Sequence, residues 1–336
     1  VRIASLQDYV PAQLADLLNS EADYWRSVLF WDYGPTREVL ERYIGARLLT
    51  GFVLLNGDIP VGYSYYVLGC PVAFVGSLFV MDEYAGAITY ASLLSACGRH
   101  LQGRPEVQRI EGQLFEFNYA FTDLWVEAGF HPVARRFMVC DLAEQTSVSQ
   151  RTESHHGQRL PPGWRVSAWR PSFLDSVAFV IYDSYLNSLD AAICYDYRTL
   201  TGCRRFLSNL VENPACGTFL PDQSLLLWDS SDNLAAVLLA SRISPSTAMI
   251  PQISVVRQYQ GHGFGRFLLD RFLSSCRKRG WHRVALSVSE ENERALRLYE
   301  RCGFRTHKPF NAYLWNRRDP LTLEQPALGS VVPPGL

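Results

Sequence analysis

The chain has 336 residues, 48% of them apolar and 19% charged, with a formal net charge of −1. Such a composition buries substantial cores, which excludes a disordered protein, and the near-neutral charge excludes a broad basic surface for nucleic acid. Its apolar runs, such as 72–80 and 234–240, stop far short of the roughly 18 consecutive residues of a spanning helix. The first residues reach Asp8 before any hydrophobic signal core develops, so the expectation is a soluble cytoplasmic protein with no membrane partner.

In chain order, Trp31-Asp32-Tyr33 precedes a helical pattern, and Asn118-x-x-Phe121-x-x-Leu124-Trp125-x-x-Ala128-Gly129-Phe130 closes the first half. Residues 143–163 are polar and nearly free of large apolar side chains, and read as a linker between domains at 1–142 and 164–318. Beyond it, 170–186 and 200–212 read as helices, then 224–228, 234–244 and 247–256 as strands. A helix over 265–279, a strand over 282–288, a helix over 292–301 and a strand over 305–315 follow. The stretch 319–336, with Pro320, Pro326, Pro333 and Pro334, reads as an irregular tail. This is a mixed α/β pattern, too short in each half for a doubly wound sheet.

The second half repeats the first. Asn292-x-x-Ala295-x-x-Leu298-Tyr299-x-x-Cys302-Gly303-Phe304 keeps the 12-residue step from Asn to Phe, and Tyr195-Asp196-Tyr197 answers Trp31-Asp32-Tyr33. Two matches in the same order indicate a duplicated domain. The eight cysteines include no Cys-x-x-Cys pair, and His155-His156 has no third ligand nearby, so no metal is expected.

The sharpest local signal is Gln260-Gly261-His262-Gly263-Phe264-Gly265-Arg266, where a β-rich run ends and a helix begins. Glycines let the chain turn at positive φ and let a ligand approach main-chain N–H groups, and the following helix N-terminus favours an anion. A plain strand-to-helix turn would need the same glycines. A Walker loop needs Gly-Lys-Ser/Thr where Gly265-Arg266-Phe267 stands, and the dinucleotide fingerprint needs a glycine at Leu268.

Gln260, Gly263 and Gly265, preceded by Val255 and followed by Asn292, Tyr299 and Gly303-Phe304, resemble the GNAT superfamily of acyl-CoA-dependent N-acyltransferases across 164–318. The resemblance implies two tandem GNAT-like α/β domains, each a mixed, mostly antiparallel central sheet flanked by helices. It makes the second domain catalytic and the first degenerate. In the first, Val80-Met81-Asp82-Glu83-Tyr84-Ala85-Gly86-Ala87 keeps one glycine, opens with no Gln or Arg, and carries two carboxylates that repel a pyrophosphate. Trp125 stands there in place of Tyr299.

The resemblance also implies acetyl-CoA as co-substrate. Its pantetheine arm would enter a gap between two strands beside Val255 and Val256, and its pyrophosphate would lie against Gln260, Gly261, His262, Gly263, Phe264, Gly265 and Arg266. Asn292 would face the coenzyme, although its place at a helix start also suits an N-cap. Tyr299 would be the general acid for the leaving thiolate, although Ala295, Leu298, Tyr299 and Cys302 also make an apolar helical stripe. The implied reaction is acetyl transfer to an amine of a small molecule or peptide by direct attack. The alternative is a non-catalytic acyl-CoA-binding sensor or partner module. The strand at 247–256 has no Asp or Glu to serve as base, and Gln252 and Ser254 can order a water but cannot hold its proton. A water chain ending in solvent is therefore the preferred base, with Asp196 as the side-chain alternative. Asp32, in the same setting in the degenerate half, argues against Asp196.

Overall fold

The structure is a computed structural model and describes residues 1–114, 121–143 and 159–317. Asn118, most of the linker and the tail at 319–336 lie outside the described residues. The first half runs β1 (Arg2–Ser5), α1 (Ala15–Leu29), α2 (Gly34–Gly45), β2 (Thr50–Asn56), β3 (Ile59–Leu68), β4 (Val72–Val80), α3 (Ala87–Gln102), β5 (Arg109–Leu114), α4 (Thr122–Glu127) and β6 (His131–Asp141). The second runs β7 (Arg165–Ala168), α5 (Leu174–Tyr185), the short α6 (Leu189–Ile193), α7 (Leu200–Glu212), β8 (Thr218–Phe219), β9 (Leu225–Trp228), β10 (Leu234–Ser244) and β11 (Thr247–Val255). It ends with α8 (Phe264–Lys278), β12 (Arg283–Ser289), α9 (Glu293–Arg301) and β13 (Arg305–Asn316).

Burial follows the sequence pattern. β10 is apolar almost throughout and buried except near Arg242 and Ser244, as a strand covered on both faces must be. One face of the second-half sheet packs on α8 through Leu268, Leu269, Phe272, Leu273 and Cys276, spaced for one helical stripe. The opposite face packs on α5 and α7, where Val177, Ile181, Leu207 and Leu210 meet Val237 and Leu239.

The resemblance implies one central sheet per half. Each half does have its own mixed, mostly antiparallel strand set flanked by helices, but the two sets form one continuous sheet. Its order is β1-β2-β3-β4-β5-β13-β6-β12-β11-β10-β9-β7, with β8 paired to β10. The last strands of the halves are exchanged. β13 pairs with β5 from Asn311↔Leu114 to Asn316↔Arg109, and β6 pairs with β12 from Arg283↔Asp141 to Ser289↔Arg135. The two exchanged strands then pair with each other. Leu29, Trp31, Phe137, Ile243, Met249, Ala285 and Phe310 fill the core at this crossing, so the halves share hydrogen bonds and apolar burial alike.

Candidate active site

β11 and β12 run parallel and pair only from Thr247↔Arg283 to Ile250↔Leu286. Beyond that point they part, β11 continuing to Val255 and β12 to Ser289. Pro251 falls at the first unpaired position, where its missing N–H costs no ladder bond. The Val256 N–H bonds the Ala235 carbonyl (2.9 Å), so strand alternation turns the main-chain groups of Ile253 and Val255 into the gap. Of the two valines predicted to line it, Val255 does so through its main chain, whereas the Val256 N–H serves β10.

The glycine loop sits at the mouth of this gap. Gly261 (φ 86°) and Gly263 (φ 83°) are left-handed, a region costly for residues with a Cβ, and Gly263 is the N-cap of α8. Among the described residues, the amide N–H groups of Gly261, Gly263, Phe264, Gly265 and Arg266 have no hydrogen-bond acceptor. They form the concentrated donor set that suits an anion at a helix N-terminus. Gln260 closes the loop onto the strand, donating from Nε2 to the Val255 carbonyl (3.0 Å) and accepting from Arg294 (3.2 Å). His262 is exposed, and its Nδ1 lies 3.1 Å from the Gln260 carbonyl. The Phe264 ring points inward and stacks on Trp164 (4.5 Å), whereas Arg266 is exposed and pairs with Asp270 (3.3 Å). Tyr259 braces the loop by donating to Asp229 (2.7 Å). That bond, with backbone N–H groups such as that of Asn233, holds the Asp229 carboxyl down at about 2, so the ionised brace is lost only as pH falls to that value.

Helix α9 brings Tyr299 to the gap. The ring is buried, with the residue 7% exposed, and packs in the α8–α9 core near Phe304. Its hydroxyl makes no hydrogen bond among the described residues, and burial followed by the Asp190 charge raises its pKa well above the usual phenol value. The phenol therefore stays protonated at working pH, with its proton uncommitted. Asn292 does cap the helix, its Oδ1 accepting from the Ala295 N–H (3.1 Å). Its Nδ2 donates to Asp190 (3.1 Å).

On the other face of β11, Gln252 and Ser254 are tied to protein and are not left to order water. Gln252 donates to Tyr185 (3.0 Å) and Ser254 (2.7 Å) and accepts from the Tyr197 hydroxyl (3.1 Å). The two tyrosine rings stack at 4.3 Å. Asp196 is buried and ion-paired to Arg205, whose Nε lies 3.1 Å away. Asp32 accepts from the Gly34 N–H (3.1 Å) at the start of α2. Both aspartates are engaged in local structure, and Asp196 is not poised as a base. The carboxylate at the open end of the gap is Asp190, which the sequence reading missed. It lies on α6 and accepts from Ser289 Oγ (2.7 Å), at the end of β12, and from Asn292. Ser188-x-Asp190 marks a helix start, because the Ser188 side chain caps α6, but nothing local aims Asp190 at β12.

The Acetyltransferase (GNAT) family model matches residues 194–304. This segment is similar to the GNAT acetyltransferase domain. Over 102 residues the chain is 28% identical to N-alpha-acetyltransferase 30 of Schizosaccharomyces pombe, a match covering 30% of this chain and 68% of that protein. Over 83 residues it is 43% identical to mycothiol acetyltransferase of Beutenbergia cavernae, but the match spans only 28% of that protein and 24% of this chain. Among solved structures, a tandem GNAT protein from the clavulanic acid biosynthesis pathway shares the fold across 95% of this chain and 99% of its own (TM-score 0.62, 16% identity).

The first half repeats the strand arrangement of the second, but its loop is differently built. β4 and β5 also pair only from Val72↔Arg109 to Val75↔Gly112 before parting. Gly86, however, is extended (φ −171°), and its N–H is taken by the Thr89 hydroxyl (3.0 Å), which also bonds the Tyr84 and Gly86 carbonyls. Trp125 fills the place of Tyr299, stacked on Tyr313 of the exchanged β13 (4.3 Å). Among the described residues no group of three or more His, Cys, Asp or Glu is placed to hold a metal, and no helix is long and apolar enough to cross a membrane.

Proposed function

We propose that the GNAT-like domain of the second half binds acetyl-CoA and transfers its acetyl group to an amine of a small molecule or peptide by direct attack. One observation carries this reading: a half-paired strand, a row of amide donors without acceptors and an uncommitted phenol meet at a single gap. The main chain of Ile253 and Val255 pairs with the pantetheine amides as an added strand would. The loop from Gln260 to Arg266 receives the pyrophosphate, with Arg266 and Arg294 at its rim. An alkylammonium, with a pKa near 10.4, gives up a proton before its nitrogen attacks the thioester. Tyr299 donates its phenol proton to the departing thiolate. The closed loop of the first half supports a shaping role there.

The test is acetyl-CoA-dependent thiol release against a simple alkylamine, a diamine, an aminosugar and a dipeptide. Amine-dependent release with at least one of them is expected. Tight acetyl-CoA binding with no release from any amine would instead mark a binding module.

A further inference from the structure

The first half reaches into the acceptor side of the second through one buried ion pair. Arg109 and Glu111 both lie on β5 and are 4% and 5% exposed, with Arg109 Nε 2.5 Å from Glu111 Oε1. Three of the guanidinium's four remaining N–H donors go to acceptors beyond Glu111. Nη1 donates to Asn316 (3.0 Å), and Nη2 donates to the carbonyls of Ala192 and Ile193 (the latter at 3.4 Å). Those carbonyls end α6, where a cation is favoured by the helix dipole. Glu111 Oε1 also accepts the Tyr195 N–H just past the helix (3.0 Å). Ile193 packs on Ala312 and Leu314 of β13, and Arg198 donates to the Ala191 carbonyl (3.0 Å). A five-residue helix has little stability of its own, so its position is set by these contacts.

What that helix carries is Asp190. Each of its oxygens receives one hydrogen bond, from Ser289 and from Asn292, which leaves about half of a carboxylate's lone-pair sites free. Asp190 is partly open to solvent, and its negative charge is felt by the buried hydroxyls of Tyr299, Tyr185 and Tyr197. No Lys or Arg forms an ion pair with it among the described residues. An anion held rigidly, half-satisfied and next to the proposed acid is complementary to an incoming ammonium.

We propose that Asp190 binds the acceptor's ammonium group and receives its proton, and that Arg109 and Glu111 of the first half are positioning residues that hold Asp190 at the gap. The proposal rests on the acetyl-transfer reading, but its test does not need turnover. In the step itself, an N–H bond of the ammonium breaks and the proton passes to an Asp190 oxygen and on to solvent. The freed nitrogen bonds the acetyl carbon as the carbon–sulfur bond breaks, and the Tyr299 proton goes to the thiolate. The second proton, which the now cationic nitrogen sheds to become the amide, returns to the Tyr299 oxygen.

The experiment titrates n-butylammonium chloride, by calorimetry, into the full chain saturated with coenzyme A. Wild type is expected to bind it, and Asp190→Asn to bind it at least about tenfold more weakly with coenzyme affinity unchanged. Arg109→Lys keeps the charge beside Glu111 but cannot span Asn316 and the end of α6. It is expected to weaken the ammonium selectively, as is Glu111→Gln. A merely structural role would lower coenzyme and ammonium affinity together. Equal ammonium affinity in wild type and Asp190→Asn, including no measurable affinity in either, overturns the assignment of Asp190. Parallel loss of both ligands in Arg109→Lys, or loss of neither, overturns the positioning role. Failure of acetyl transfer with ammonium binding intact would refute the enzymatic reading alone.

Discussion

Tyr299→Phe is expected to lower kcat by about 10²–10⁴-fold, the usual worth of general acid help, while acetyl-CoA affinity changes by less than about twofold. The hydroxyl makes no hydrogen bond among the described residues, so its removal strands no partner and leaves the α8–α9 packing intact. The fold is therefore expected to stay within about 0.5 kcal/mol of wild type. Because burial and the Asp190 charge raise the phenol's pKa, its deprotonation contributes no limb to the pH–rate profile around neutrality. Steady-state kinetics with a confirmed amine acceptor check this. Wild-type turnover by the variant would reduce Tyr299 to a packing residue and move the acid elsewhere.

Gly202→Ala is expected to destabilise the protein by about 3 kcal/mol, through overpacking against backbone that cannot yield. A Cβ at Gly202 would stand 2.3 Å from the Asp196 carbonyl oxygen and 2.8 Å from its Cα. Glycine is required by this approach of α7 to the 3-10 turn at Tyr195–Arg198, because Thr199 caps the helix and turns the Gly202 N–H back toward itself (3.0 Å). The same turn carries Tyr197, whose hydroxyl holds Gln252, so the strain reaches the acceptor side of the gap. Thermal unfolding should record a fall on the order of 5–10 °C. An unchanged midpoint would mean that α7 shifts freely and that the turn is not a fixed wall of the site.

Much of this was legible locally. The glycine run, the helix start at Asn292 and the stripe through Tyr299 announced their conformations because each depends on residues within about two turns. The order of strands and helices in the second half followed for the same reason, with β10 and α7 matching the predicted bounds. The strand exchange was not legible. Alternation along β6 and β13 states which face each residue takes, not which neighbour the strand pairs with, and both neighbours present equivalent edges. The resemblance between the halves makes the two pairings almost equally plausible from sequence.

Asp190 was missed for a related reason. The strand at 247–256 holds no residue type that can serve as base. Asp196 was the side-chain alternative because it lies in the helix-connecting segment that the resemblance sets on the acceptor side, although its counterpart Asp32 in the repeat argued against it. Recurrence marks shared architecture, and Asp196 duly serves a local ion pair as Asp32 serves a helix start. A five-residue helix carries too little periodicity to be recognised. The two residues that bring Asp190 to the gap are about 100 positions away in sequence. Arg109 and Glu111 read as strand residues of the degenerate half, and their reach to α6 depends on the exchanged strand beside them.

The central claim is that one half of this duplicated chain keeps an open coenzyme site while the other has closed its own. Calorimetric titration of the whole protein with acetyl-CoA tests it most directly. One site per chain is expected, because the amide groups of Gly261, Gly263, Phe264, Gly265 and Arg266 have no acceptor among the described residues, whereas Thr89 and Trp125 occupy the equivalent places in the first half. Two sites of comparable affinity would contradict the account, as would a single site that survives Gly263→Asp with its affinity unchanged.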